Sequence, residues 1–101
     1  MRFEWDPTKE EANRKKHGVS FGEATKVFTS GANYLEIYDE IHSDKEDRFI
    51  AVGRIKRGVV VVVYVEREED VLRILSARMA TRQERKRFEE YEKRAHGKRD
   101  W

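Results

Sequence analysis

The sequence predicts an α+β fold in which helices pack on an antiparallel sheet, in the order β-α-α-β-β-β-β-α. Three observations predict it. Residues 6–28 hold two helix starts with capping signals. From Asn33 the apolar spacing changes to every second residue. A last capping signal at Thr81 opens a helix that closes the chain. At 101 residues, with no Gly/Ser linker and no internal repeat, one domain is expected over 1–101, its last few residues frayed.

Phe3-Glu4-Trp5 alternates apolar, polar and apolar, which suits a first strand. Asp6 then reads as an N-cap and Pro7 as the first helical residue, with Gly18 stopping the helix after His17. Ser20 and Glu23 form a capping box for a second helix, whose apolar stripe is Phe21, Ala24, Thr25 and Phe28. Tyr34–Tyr38, Arg48–Ile55, Val59–Glu66 and Val71–Ala77 read as four strands. Lys56-Arg57-Gly58 and Glu68-Glu69-Asp70 look like hairpin connections, so antiparallel pairing is expected. The run Val59 to Val63 has no polar face and should be a central strand covered on both sides. Thr81 and Glu84 cap the last helix, expected to reach about Ala95.

Charged residues make up 42% of the chain, yet the net charge is only +2. Residues 78–101 hold nine basic and five acidic groups, whereas 31–77 hold seven basic and ten acidic. That asymmetry suggests a local anion-binding surface; a solvated helix face explains it equally well. There is no cysteine, so disulfides and thiolate metal sites are excluded. The N-terminus lacks the apolar stretch of a signal peptide, and Val59–Val65 is too short to span a bilayer. A soluble, cytoplasmic protein without membrane contact is expected.

The first helix is unusual in that the stripe that would pack inward is polar and cationic. Lys9, Asn13, Lys16 and His17 share one face where apolar residues normally stand. They could form a phosphate- or base-contacting ridge, or lie solvated on the surface. His17 precedes a helix C-terminus, where the dipole favours an imidazolium and suits a general acid or base. A structural C-cap is the alternative. His42 lies in an acidic loop and His96 in a tail, which makes both poorer candidates. No HxH or HxxxH spacing suggests a metal, and no cofactor is expected.

Arginines stand on the strands among aliphatics. Arg48 shares a strand face with Ile50, Val52 and Arg54. Strict alternation would put Arg73 with Val71, Leu75 and Ala77, and Arg78 on the opposite face with Ser76. Arg67 ends the valine-rich strand. Each needs a carboxylate partner or a phosphate.

Several of these pieces together resemble a known family. Glu4-Trp5-Asp6, Lys9 and Asn13-x-x-Lys16-His17-Gly18-Val19-x-Phe21 resemble the N-terminal signature of BrnT-like toxins. Tyr64-x-x-Arg67, Arg73-Ile74-Leu75-Ser76-Ala77-Arg78 and Ala80-Thr81-x-x-Glu84-Arg85 resemble their C-terminal signature, with Arg48 and Gly53 between. The tail motif departs at Leu75, where isoleucine is more usual, and at Met79, where lysine is.

The resemblance implies a RelE-like fold and a metal-independent endoribonuclease of a type II toxin–antitoxin system. It also implies a BrnA-type antitoxin partner, in a hetero-oligomer or beside a toxin dimer, that represses the shared operon; DNA is then met only through that partner. On this reading His17, Lys16, Arg67 and Arg78 carry the chemistry, while Lys9, Asn13, Arg48, Arg73 and Arg85 bind RNA. A non-catalytic binding module or inactive homologue on the same fold is the alternative. A third possibility is a structural partner protein that docks another chain on the Phe88, Tyr91 and Ala95 stripe of its last helix.

Overall fold

The computed structural model describes residues 1–97, with side chains as far as Ala95. Of the tail expected to fray from His96 onward, His96 and Gly97 continue the last helix, and residues 98–101 lie outside the described residues. The chain forms β1 (Arg2–Glu4), α1 (Pro7–His17), α2 (Phe21–Ala24), α3 (Lys26–Thr29), β2 (Leu35–Tyr38), β3 (Arg48–Ile55), β4 (Gly58–Glu66), β5 (Val71–Met79) and α4 (Arg82–Gly97). The five strands make one sheet in the order β1-β5-β4-β3-β2. β4 is its middle strand, as the valine run requires.

The capping signals act as predicted. Asp6 accepts the Thr8 N–H, and Gly18 closes α1 in the left-handed region at φ 72°. Ser20 and Glu23 cap each other's backbone at α2. Thr81 accepts from Glu84 N–H while Glu84 accepts from Thr81 N–H, the same box at α4. Two expectations need correction. The second helix is two helices of four residues, broken at Thr25, whose hydroxyl donates to the Gly22 carbonyl. The pairing is not wholly antiparallel: β1 runs parallel to β5, because the chain's first strand joins the outer edge of its last.

The sheet is covered on both faces. On one, Phe21 and Val27 of α2 and α3 pack with Ala51, Val62, Tyr64 and Ile74. Gly53 admits this layer, since a Cβ there would stand 2.7 Å from Val27 Cγ1. On the other face Phe88 of α4 packs on Val52, Val59 and Val61. Phe88 is fully buried there, and Tyr91 donates its hydroxyl to the Tyr34 carbonyl. Phe88 and Tyr91 of the α4 stripe are therefore engaged by the chain's own sheet. Burying a phenylalanine of this kind stabilises by about 1.5–3 kcal/mol.

α1 has no apolar stripe, and polar contacts fasten it. Glu10 accepts the Phe21 N–H. Asn13, buried among exposed neighbours, donates to the Val19 and Ala77 carbonyls and accepts the Ala77 N–H. β1 pairs with β5 only from Val71 to Arg73, so the edge beyond is open. Asn13 continues the ladder there with its side-chain amide.

One irregularity sets the chemistry of the sheet. Tyr64 pairs with Ile74, but Val63 pairs with Ser76, so Leu75 is an extra residue in β5. The faces of β5 exchange at that point. Arg73, Ser76 and Arg78 therefore lie on one face, opposite Val65, Val63 and Val61. Strict alternation had separated Arg73 from Ser76 and Arg78; the bulge overturns that expectation.

Candidate active site

Register lines up cations across this face. Arg48, Val65 and Arg73 occupy one cross-strand row, and Ile50, Val63 and Ser76 the next. α4 covers the far half, over Val52, Val59 and Val61. The near half is open, and a cleft of about 710 Å³ lies on it. Its floor is Ile50, Val63, Leu75 and Ser76; its rim is Lys9 of α1, Arg48, Arg67, Arg73 and the β2–β3 loop residues Asp39, His42 and Glu46.

Four cations thus meet three carboxylates, Asp39 and Glu46 on the rim and Glu4 beside Arg73. Arg73 pairs with Glu4 at 2.6 Å, and Arg67 with Glu46 at 3.4 Å. Lys9 and Arg48 have no carboxylate partner among the described residues, and the buried Nε of Arg48 has no hydrogen-bond partner there. A guanidinium held beside an apolar floor favours an anion more than it would in water. The arrangement suits a phosphodiester.

The β2–β3 loop is pinned at its base. Asp39 N–H donates to the Arg48 carbonyl, and Ser43 donates its hydroxyl to the Asp39 carbonyl while accepting the Arg48 N–H. Within this lobe the Asp39 carboxylate lies 3.0 and 3.2 Å from His42 Nδ1 and also accepts the His42 N–H. Asp39 is largely enclosed, with 13% of its side chain exposed, whereas 61% of His42 is open.

The nine residues singled out in the sequence separate into groups. Lys9, Arg48, Arg67 and Arg73 meet in the cleft. Arg78 is on the same sheet face, two residues beyond Ser76 along β5, and is held by Glu84 in a two-pronged pair at 2.7 and 2.8 Å. Hydrogen bonding to that guanidinium holds the Glu84 carboxyl down at about 2, against the opposing effect of burial. The same bond raises Arg78. Arg85 is exposed in the first turn of α4. Asn13 is inside, with both ends of its amide engaged on the sheet edge. Lys16 and His17 end α1; at 1.5 Å per residue His17 is about 12 Å along the axis from Lys9. Neither lines the cleft. The expected ridge along α1 therefore reaches the cleft through Lys9 alone.

The cleft also holds what sequence reasoning set aside. His42, Asp39, Glu46 and Ser76 line it. The one signal in the sequence was the Asp39-x-x-His42 spacing, which a turn brings together, but the acidic composition around it masked that pair.

A family model described as "Ribonuclease toxin, BrnT, of type II toxin-antitoxin system" matches residues 5–84. The chain belongs to the BrnT family of ribonuclease toxins. A crystal structure of the Brucella abortus ribonuclease toxin BrnT has a similar fold, with a TM-score of 0.61 and 25% sequence identity. That match covers 81% of this chain and 99% of the Brucella chain. Among curated proteins no relative matches. The span matched to the BrnT family takes in every residue of the cleft and ends in the first turn of α4. Among the described residues of this BrnT-family chain, no helix is long and apolar enough to cross a membrane.

Proposed function

We propose that the chain is an endoribonuclease that binds a phosphodiester of RNA in the cleft of Lys9, Arg48, Arg67 and Arg73. The observation that carries this is the row Arg48–Val65–Arg73, with Lys9 and Arg67 converging on it and two of the four cations lacking a carboxylate. Cleavage by the neighbouring 2′-hydroxyl builds negative charge on the phosphorane, and fixed guanidinium groups stabilise it more than they stabilise the ground state. These side chains supply that charge without a resident metal. Arg48 and Arg73 hold the non-bridging oxygens, Arg67 joins them by leaving Glu46, and Lys9 places the backbone. Arg78 and Arg85 extend the cationic surface toward α4. We assign Lys16 and His17 no step in the cleft.

RNA as the substrate rests on the family. The 2′-hydroxyl is the group that would distinguish it from DNA. The neutralising partner is a BrnA-type antitoxin, bound in a hetero-oligomer, and the toxin acts in the cytoplasm as one domain. Antitoxin-free protein incubated with single-stranded RNA in EDTA should cut it, and Arg48→Ala should cut at least tenfold more slowly. Intact RNA with the wild-type protein, in EDTA and in magnesium alike, sinks the reading.

A further inference from the structure

We infer that His42, oriented by Asp39, is the general base of the cleavage; this rests on the ribonuclease reading above. His42 lines the same cleft as Arg48 and Arg67. An ionised carboxylate only accepts hydrogen bonds, so Asp39 at 3.0 Å requires the proton on Nδ1. In the neutral ring that leaves the lone pair on Nε2, and Nε2 has no hydrogen bond among the described residues. Asp39 is itself fixed: it is mostly enclosed, its N–H is bonded to Arg48, and its carboxylate also holds the His42 N–H. The pair is therefore anchored to the strand that carries a phosphate-binding arginine. A base oriented by a third group, beside cations for the developing charge, is the arrangement that proton abstraction needs.

The step balances without a co-reactant other than water. Nε2 takes the 2′-hydroxyl proton as the O2′–P bond forms. The P–O5′ bond breaks with its electron pair on O5′, which takes a proton from water. The imidazolium returns its proton to water. The products are a 2′,3′-cyclic phosphate and a 5′-hydroxyl. Asp39 is a positioning residue: it acts through the ring and touches no reacting atom.

The test uses the full-length protein and a short single-stranded RNA. His42→Ala and His42→Gln should each lower kcat by ~100-fold or more. Their affinity for an uncleavable 2′-O-methyl oligonucleotide should stay within about twofold, and added imidazole should restore part of the rate to His42→Ala. Asp39→Asn should lower kcat with little change in KM. A substrate with a 5′-bridging sulfur, whose leaving group needs no proton, should leave the His42→Ala defect in place. Wild-type rates in both His42 variants, or full rescue by the sulfur substrate, overturn the base assignment and leave the ribonuclease reading intact. A wild-type protein that never cuts RNA overturns both.

Discussion

The side-chain amide of Asn13 brackets the peptide of Ala77, donating to its carbonyl at 2.8 Å and accepting its N–H at 3.1 Å. A side chain thus takes the place of a neighbouring strand where β1 has ended. It also explains how a helix with no apolar stripe stays on the sheet.

Asn13→Ala should therefore be costly. It leaves two backbone groups of Ala77 and the Val19 carbonyl without that partner, and each buried unsatisfied group costs about 1–3 kcal/mol. Water reaching the opened edge reduces the total, so a loss of about 2–4 kcal/mol is expected in urea denaturation. A loss below about 0.5 kcal/mol would show that the edge needs no bracket.

The bulge predicts an unusual tolerance. Removing one residue from a regular strand turns every later side chain to the other face. Removing Leu75 should not, because Leu75 is the residue without a partner in β4. The deletion should leave a folded protein, about 1–2 kcal/mol less stable from lost apolar contact. Deleting Val62 from β4 should prevent folding. Circular dichroism and thermal melts of the two deletions decide this.

Arg48 should report on phosphate binding through salt. For single strands the slope of log affinity against log salt is about −0.7 per neutralised phosphate. Arg48→Ala should weaken binding of an uncleavable oligonucleotide and flatten that slope by about 0.7. An unchanged slope would place the phosphate elsewhere.

The Arg78–Glu84 pair predicts an acid-side stability loss. Glu84 has a folded value of about 2, below its ordinary value of 4.5, so its contribution is fully present above 4.5. It is lost as pH falls from there towards 2. About a third of each side chain is exposed, and screening limits the effect to about 1 kcal/mol. Thermal melts of wild type and Glu84→Gln should converge as pH falls from 5 to 2. A constant gap across that range would contradict the linkage.

The sequence by itself determined the elements and much of the chemistry. Helix starts at Pro7, Phe21 and Arg82 follow from capping residues within three or four positions of them. The centrality of β4 follows from its unbroken valines. Lys9, Arg48, Arg67 and Arg73 stood out as cations where apolar residues belong. Only the tertiary structure decided which of them meet. Arg48 and Arg73 share a row because of the β3–β4–β5 register, and Arg73 shares a face with Ser76 and Arg78 because Leu75 is one residue too many. Periodicity assumes a regular strand, so it cannot foresee that exchange. Nor could it predict the role of Asn13, which reads as an RNA-contacting or solvated member of the α1 ridge until the open edge of β5 lies beside it. His42 belongs to the same class. Its place in the cleft depends on a loop folding back on Arg48, a contact that composition obscured and only three dimensions supply.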